Sequence, residues 1–159
     1  MNKAYILLGG NIGNPIKSLE QATTYIQQII GKVERVSSFY LTAAWGNTIQ
    51  PDFVNRVIIV GTDLSSLQTM QACLAIEKKM GRKRTIKNAA RIIDIDILFF
   101  NKEIVQTKEL ILPHPAMQYR RFVLVPLQEL SPNLKHPKLN KTIHQLLKEC
   151  DDTLDVKKI

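Results

Sequence analysis

The chain has few of the features that secreted, zinc-binding or membrane proteins need. Its 159 residues contain two cysteines, Cys73 and Cys150, and neither lies in a CxxC pair or a cysteine–histidine cluster. We expect both to be small buried apolar residues rather than disulfide partners or metal ligands. No apolar run approaches the roughly 18 residues of a membrane span, and the early run at residues 4–8 is shorter than a signal-peptide core. The sequence therefore predicts a cytoplasmic protein that contacts no membrane.

Glycine and proline are also scarce, at seven residues each, whereas 45% of the residues are hydrophobic and 23% are charged. This balance excludes collagen-like repeats and extended disorder and is typical of one compact domain, here residues 1–159. We expect that domain to be a monomer. The net charge of +8 predicts an anionic partner, and charge alone leaves open whether that partner is a nucleotide or a nucleic acid.

The hydrophobic pattern predicts six core elements. They are a strand at 3–8, a helix from Asn14 to Gly31, strands at 33–41 and 53–60, a helix from 63 to Gly81 and a strand at 92–100. This β-α-β-β-α-β order is the split βαβ pattern of ferredoxin-like α+β folds.

A C-terminal extension of short strands and helices follows the predicted core. Residues 110–112 are predicted to be extended, and residues 122–130 to form a helix that is kinked or begins near Pro126. Asn140 is predicted to cap a last helix. We expect residues 151–159 to fray.

Two carboxylates interrupt the last predicted core strand. Alternation along a strand turns Asp94 and Asp96 to one face and Ile93, Ile95 and Ile97 to the other. Two anions on a half-buried strand repel each other unless a cation lies between them, and oxygen-ligated Mg²⁺ is the usual one. We therefore predict a metal site at the aspartates. The alternative is an open sheet face where solvent and lysines balance both charges.

Seven basic residues lie directly before this strand: Lys78, Lys79, Arg82, Lys83, Arg84, Lys87 and Arg91. Arginines beside a carboxylate-bound cation are the usual equipment for holding a polyphosphate, so we predict that the three arginines contact phosphate. The first two lysines instead suit a helix C-terminus. No GxxxxGK[ST] motif is present, so side chains and Mg²⁺ would hold the phosphates of a bound nucleotide.

Three further polar residues stand in apolar or rigid surroundings. Glu77 extends the apolar stripe of its predicted helix. A salt bridge to Arg82 or Arg84 explains a carboxylate at this position as well as a ligand-binding role does. Asn55 shares a strand face with apolar residues, so its amide bonds a neighbouring backbone or reads the edge of a planar ligand. His114 lies between two prolines near an arginine pair, which suits either an exposed loop or a phosphate contact.

The segments that carry these residues resemble the 6-hydroxymethyl-7,8-dihydropterin pyrophosphokinase family. Residues 87–98, Lys-Asn-Ala-Ala-Arg-Ile-Ile-Asp-Ile-Asp-Ile-Leu, are similar to the family signature. Further segments are similar in order and spacing, namely 4–15, 37–40, 50–55, 77–82 and 113–122. Asn88, Ala89 and Ala90 depart from the tryptophan and Gly-Pro pair of many relatives, and Glu109 and Pro115 also differ.

This resemblance implies transfer of pyrophosphate from ATP to the hydroxymethyl oxygen of the pterin, with release of AMP, on a ferredoxin-like fold with two Mg²⁺ ions. The residues implied to be catalytic are Arg82, Arg91, Asp94 and Asp96, and the two aspartates are the implied metal ligands. Those implied to bind ATP are Glu77, Arg82, Arg84, Arg91, Ile97, His114 and Arg120. Those implied to line the pterin pocket are Thr42, Ala43, Trp45, Phe53, Asn55, Asp94 and Phe122.

A second class of function fits the same order and charge. RRM-like nucleic-acid-binding modules also have β-α-β-β-α-β order and a positive charge, but they stack bases on aromatic residues of their central strands. The corresponding strand here carries Asp94 and Asp96, which repel phosphate unless metal is bound. We therefore predict an enzyme that binds no nucleic acid. An ordinary kinase that moves only the γ-phosphate is a further alternative.

Overall fold

A computed structural model describes residues 1–44, 49–82 and 90–159. The core elements in chain order are β1 (Asn2–Gly10), α1 (Pro15–Ile29), β2 (Lys32–Val36), β3 (Tyr40–Thr42), β4 (Phe53–Thr62), α2 (Ser66–Lys79) and β5 (Asp94–Phe100). The C-terminal part contains β6 (Val105–Gln106), β7 (Ile111–Leu112), a 3₁₀ turn (Met117–Tyr119), α3 (Arg121–Leu130), α4 (Ile143–Glu149) and β8 (Val156–Lys158). The fold is thus mixed α/β. No helix among these described residues is long and apolar enough to cross a bilayer.

One antiparallel sheet organises the molecule. Its strands lie in the order β5-β1-β4-β3-β8, and β2 also pairs with β4. β6 and β7 form a separate two-stranded hairpin. β1 and β4 are central strands and nearly fully buried, so their apolar side chains pack on both faces of the sheet.

Each face of the sheet has its own apolar core. Helices α1 and α2 cover one face with side chains that include Leu19, Ala22, Ile26, Cys73 and Ile76. Helices α3 and α4 cover part of the other with Val123, Leu124, Leu127, Ile143 and Leu146. Both cysteines are free thiols; Cys73 is buried, as predicted, whereas Cys150 is only half-buried.

Helix α1 begins where the sequence predicted, and α2 begins at Ser66, slightly after the predicted start at 63. Asn14 caps α1 by accepting a hydrogen bond from the Lys17 backbone N–H. Ser65 and Gln68 form a reciprocal capping box at the start of α2. Gly81 follows α2 with φ of 91°, a left-handed conformation that favours glycine.

The predicted single strand at 33–41 is wrong, because the segment forms two strands. Ser37 interrupts it: its backbone N–H donates to the Val57 carbonyl, and its hydroxyl accepts from the Val57 N–H. Val36 pairs with Ile58 and Tyr40 with Asn55, so the outer chain carries one more residue than β4 over this stretch. The interruption is therefore a bulge, which hydrophobic alternation does not reveal.

Helix α3 (Arg121–Leu130) confirms the helix predicted at 122–130; it contains Pro126 and so does not begin near the proline, which was one of the two alternatives. Two other predictions for the C-terminal part need correction. Thr142 caps α4 in a capping box with Gln145, whereas Asn140 has φ of 62° in the preceding turn. Residues 151–159 are not frayed, because β8 pairs with β3 and extends the sheet.

Candidate active site

The aspartate pair lies where β5 begins beside the end of β1. Asp94 pairs across the sheet with Gly9, and Asp96 with Leu7. Both aspartates line one cleft, whereas Ile95 belongs to the opposite apolar core. The predicted alternation is confirmed, and the pleat alone explains it.

The cleft, which we call the first cavity, gathers residues from five separate parts of the chain. Its lining residues are Leu7, Gly9, Thr42, Ala43, Phe53, Asn55, Arg91, Asp94, Asp96, Arg120 and Phe122. All the residues predicted to line a pterin pocket are among them except Trp45, which lies outside the described residues. Tertiary folding thus brings together residues as far apart in the chain as Leu7 and Phe122.

A fixed amide forms part of this cavity wall. Asn55 is buried, and its Nδ2 donates to the Thr42 hydroxyl over 2.8 Å. Gly9 lies directly against it, because a Cβ at that position would collide with Asn55 Oδ1. With Nδ2 on Thr42, the amide oxygen Oδ1 lies beside the glycine backbone.

Two phenylalanines of the cavity each contact a guanidinium group. Arg91 lies 5.7 Å from the ring centre of Phe53, and Arg120 lies 5.7 Å from that of Phe122. These distances are within cation–π range. Apolar ring faces and positive charge therefore occur side by side, as a flat ligand with an anionic extension requires.

Asp94 is held by two arginines. Its Oδ1 lies 2.6 Å from Arg82 Nη1 and its Oδ2 lies 3.0 Å from Arg91 Nη1. Glu77, whose residue is 2% exposed, accepts from Arg82 over 3.1 Å and from the Ile95 backbone N–H over 2.7 Å. The predicted salt bridge of Glu77 is thus formed with Arg82, while Arg84 lies outside the described residues.

The carboxylate of Asp96 differs from that of Asp94: within the described residues, the side chain of Asp96 makes no hydrogen bond. Burial, and then the charges of Asp94 and Glu77, raise the pKa of Asp96 to about 7. A carboxylate in this setting is stabilised by a cation, and Mg²⁺ commonly binds through one or two carboxylates plus phosphate oxygens. Among the described residues there is no cluster of three or more His, Cys, Asp or Glu side chains suited to a metal.

A second cavity meets the first at Asp96. Its lining residues are Met70, Cys73, Leu74, Ile95, Asp96, Ile97, Lys108, Glu109, Leu110, Ile111, His114 and Pro115. It is largely apolar and carries a few polar groups, a composition typical of sites for organic ligands. Of the residues predicted to bind ATP, Ile97 and His114 lie here, Arg91 and Arg120 line the first cavity, and Glu77 and Arg82 adjoin Asp94.

His114 is held as a neutral imidazole in the second cavity. Burial, followed by the positive charge of Arg120, lowers the pKa of His114 to about 4. Its Nδ1 accepts a hydrogen bond from the Ala116 backbone N–H over 3.2 Å. This bond leaves the single proton of the neutral ring on Nε2.

Comparison with known proteins identifies the family. The family model described as 7,8-dihydro-6-hydroxymethylpterin-pyrophosphokinase (HPPK) matches residues 5–132. The chain belongs to the HPPK family. The predicted family resemblance is thereby confirmed.

Similar members of the HPPK family cover nearly all of the chain. A 2-amino-4-hydroxy-6-hydroxymethyldihydropteridine pyrophosphokinase of Synechocystis is 41% identical over 151 residues, which cover 94% of this chain and 77% of the relative. One of Haemophilus influenzae is 37% identical over 153 residues, covering 96% and 95%. A solved Plasmodium falciparum HPPK-DHPS has a TM-score of 0.78 at 20% identity, covering 93% of this chain and 45% of that larger protein. This last likeness concerns the fold alone.

The sequence analysis missed one buried connector in this HPPK-family site. Asn11, 5% exposed, exchanges two hydrogen bonds with Arg91: its backbone N–H donates to the Arg91 carbonyl, and its Oδ1 accepts from the Arg91 N–H. Its Nδ2 donates to Gln50 Oε1 and to the Pro51 carbonyl. An asparagine directly after the glycines of β1 was the available signal, but nothing local indicated its distant partners.

Proposed function

We propose that this chain transfers the pyrophosphoryl group of ATP to the hydroxymethyl oxygen of 6-hydroxymethyl-7,8-dihydropterin and releases AMP, a step of folate biosynthesis. The observation that carries the proposal is that Asp96 lines both cavities in a chain of the HPPK family. The RRM-like alternative gains no support from the comparisons.

In this proposal the pterin binds in the first cavity. Phe53 and Phe122 contact the faces of its flat ring, and Asn55 with Thr42 reads its polar edge. Ala43 and Trp45 complete the pocket. The support is chemical, because a pteridine offers two apolar faces and a rim of amide-like donors and acceptors that match a buried asparagine.

ATP is the co-substrate, and we assign its base to the second cavity. Ile97 supplies apolar contact there, and neutral His114 offers its Nε2 proton to an oxygen or nitrogen of the nucleotide. The triphosphate then extends past Asp96 towards the arginines. Arg82, Arg84, Arg91 and Arg120 neutralise the charge of the transferring group, and Glu77 anchors Arg82.

Asp94 and Asp96 are the residues that would hold Mg²⁺, with two ions implied by the family resemblance. When bound, the metal neutralises phosphate charge and polarises the β-phosphorus. The chain's own part is positioning, since phosphoryl-type transfer depends on alignment and charge neutralisation more than on a strong base. Arg82 and Arg91 lie against Asp94 before ligands bind and transfer to the phosphates afterwards, and Asp94 then accepts the hydroxymethyl proton late.

We also assign the core to the ferredoxin-like class. The order β5-β1-β4-β2, with every neighbouring pair antiparallel and α1 and α2 on one face, supports this assignment. A single domain of residues 1–159, a monomeric state and a cytoplasmic location remain predictions. Size-exclusion chromatography with light scattering checks the monomeric state.

The deciding experiment is a product assay. Purified protein is incubated with ATP, Mg²⁺ and the hydroxymethyldihydropterin, and the nucleotides are separated by chromatography. We expect AMP that forms only when the pterin is present. ADP as the product would instead indicate γ-phosphate transfer, and salt-sensitive binding of single-stranded RNA without any nucleotide product would favour the RRM-like alternative.

A further inference from the structure

The C-terminal tail, defined as residues 151–159, contacts two walls of the first cavity. One wall is strand β3 with Thr42, and the other is the start of helix α3 with Phe122. The tail lines neither cavity itself. Its contacts are therefore with the supports of the site and not with a ligand.

The first contact is at the start of α3. Arg120, the N-cap residue, makes no side-chain capping hydrogen bond, so the first N–H groups of the helix need an acceptor from elsewhere. Asp152 provides it, because its Oδ2 accepts from the Arg121 N–H over 2.9 Å. A carboxylate at a helix N-terminus is also favoured by the helix dipole. The capped residue stands between Arg120 and Phe122, which both line the first cavity.

The second contact is with β3. Val156 pairs with Thr42 and Lys158 with Tyr40, and the Ile159 N–H donates to the Phe39 carbonyl over 3.0 Å. Without β8, the backbone groups of β3 on this side would form an open sheet edge. Thr42 accepts the hydrogen bond that holds the Asn55 amide in place. The pairing of β8 with β3 is therefore connected to the polar wall of the cavity through this one hydrogen bond.

The tail also spans the space between these two contacts. Asp152 Oδ1 accepts from the Leu154 N–H over 2.9 Å, which turns the chain from α3 towards β3. Asp152, Leu154 and Val156 are half-buried and alternate with exposed residues, and β8 lies against α3 as well as β3. A second link joins the same walls, since the Tyr40 hydroxyl donates to Glu129 of α3 over 2.5 Å.

We propose that the C-terminal tail is a positioning element that clamps β3 to the start of α3 and thereby sets the spacing of Thr42 and Phe122 for the pterin. This inference rests on the proposed function for the identity of the ligand, but the clamp itself is a property of the chain. The tail supports the first cavity and lines no part of the second, where the base of ATP is assigned.

The test compares point variants and a truncation. Asp152→Ala removes the cap of α3, and Asp151→Ala removes an equal charge from an exposed neighbour with no assigned contact. Deletion of residues 156–159 removes β8 alone. Asp152→Asn retains one of the two acceptor oxygens and serves as the conservative variant.

For Asp152→Ala and for the deletion we expect the KM for the pterin to rise about threefold to tenfold, the size that losing a cap or an edge pairing produces. The KM for ATP should rise less than the KM for the pterin, because Arg120 is the one assigned ATP residue beside the capped Arg121 and the residues of the second cavity do not touch the tail. Asp152→Asn should lie between wild type and alanine, and Asp151→Ala should match wild type.

Hydrogen exchange provides the second readout, which needs no substrate. The amides of residues 40–42 and 121–123 should exchange faster in both tail variants, while those of α1 should not change. Unchanged exchange at these amides overturns the clamp, as does an equal rise in both KM values. A wild-type protein that makes no AMP overturns the proposed function instead, and the exchange measurement still decides the clamp.

Discussion

The two faces of the sheet differ in how completely helices cover them. On one face, α1 and α2 lie over the central strands, and residues such as Ile26 and Ile76 are fully buried. On the other, α3 and α4 cover the middle but leave the end of the sheet beside Asp94 and Asp96 as a cleft. Strand β5 contributes to both faces, because Ile95 packs into the core under α1 and α2 while Asp94 and Asp96 face the cleft.

This difference indicates that one face of the sheet mainly stabilises the fold, whereas the other holds the groups suited to chemistry. The covered face has apolar residues that gain free energy on burial. The cleft face holds carboxylates whose burial is unfavourable, as the raised pKa of Asp96 indicates. Substitutions on the two faces should therefore change different quantities, which the following predictions use.

The largest effect is expected for Asp96. Asp96→Asn removes the charge while keeping the shape, and turnover should fall by at least about 100-fold to 1,000-fold, the range for losing a group that stabilises a charged transition state. Because the folded state raises the pKa of this carboxyl, its ionised form opposes folding near neutral pH, so the melting temperature should stay equal or rise. AMP release and thermal unfolding measure the two results.

The matched control for this change is Asp63→Asn, which alters an exposed aspartate before α2. It should change neither quantity. Near-wild-type turnover of Asp96→Asn in Mg²⁺ would remove Asp96 from the mechanism.

The opposite behaviour is expected on the covered face. Ile26→Ala should lower the free energy of unfolding by about 2–5 kcal/mol, because it leaves a cavity under α1. The kcat of the folded fraction should remain that of wild type. Urea unfolding and assays well below the transition check both.

Helix α1 supplies the control for this prediction. Ile29 is 46% exposed whereas Ile26 is fully buried. Ile29→Ala should change the free energy of unfolding by less than about 0.5 kcal/mol. Equal destabilisation by both alanines would mean that the covered face is not the main source of stability.

A smaller effect is expected for the connector Asn11. Asn11→Asp keeps the acceptor for the Arg91 N–H but loses the Nδ2 donor to Gln50 and Pro51. An unmet buried hydrogen bond costs about 1–3 kcal/mol, so we expect kcat/KM for the pterin to fall about tenfold. Steady-state kinetics with the pterin varied measures this.

The same substitution at Asn14 is the control, because aspartate caps α1 as well as asparagine does. Asn14→Asp should therefore leave kcat/KM unchanged. Equal kinetics for the two variants would show that the Asn11 link does not serve the cleft.

The last prediction concerns acid stability. The pKa of His114 is lowered from 6.5 to about 4, so the unfolded chain binds a proton that the folded one rejects between these values. His114 therefore makes the protein less stable as the pH falls from about 6.5 towards 4. His114→Gln should lose less stability over this window than wild type, as measured by urea unfolding at several pH values.

His144 on α4 is exposed and provides the control for the acid experiment. His144→Gln should keep the wild-type pH dependence. If His114→Gln also keeps it, the ring is not held neutral by the fold.

Local signals predicted much of the core correctly. Asn14 with Pro15, the Ser65 cap and Gly81 mark helix ends within a few residues, because capping is a property of the chain around each end. Alternation placed Asp94 and Asp96 on one face, and the signature around Arg91 indicated the family, which the comparisons confirm.

Errors arose where a distant partner decided the structure. The bulge at Ser37 depends on Val57, and the order of residues 151–159 depends on β3. Asn140 looked like a cap, but the turn that positions Thr142 gives that role to the threonine. The first two outcomes rest on contacts that sequence spacing does not encode, whereas the capping box of Thr142 and Gln145 is a local signal that the sequence analysis overlooked.

The sequence by itself determined the elements and the chemistry they carry: which faces are apolar, where helices begin, and that two carboxylates and several arginines stand around one strand. Only the tertiary structure decided that these groups meet Asn55, Phe122 and His114, that Asp96 lies between two cavities, and that Asn11 and Asp152 support the site. The physical reason is that capping and alternation act over a few residues, whereas cavities and buried hydrogen bonds require surfaces that only packing brings together.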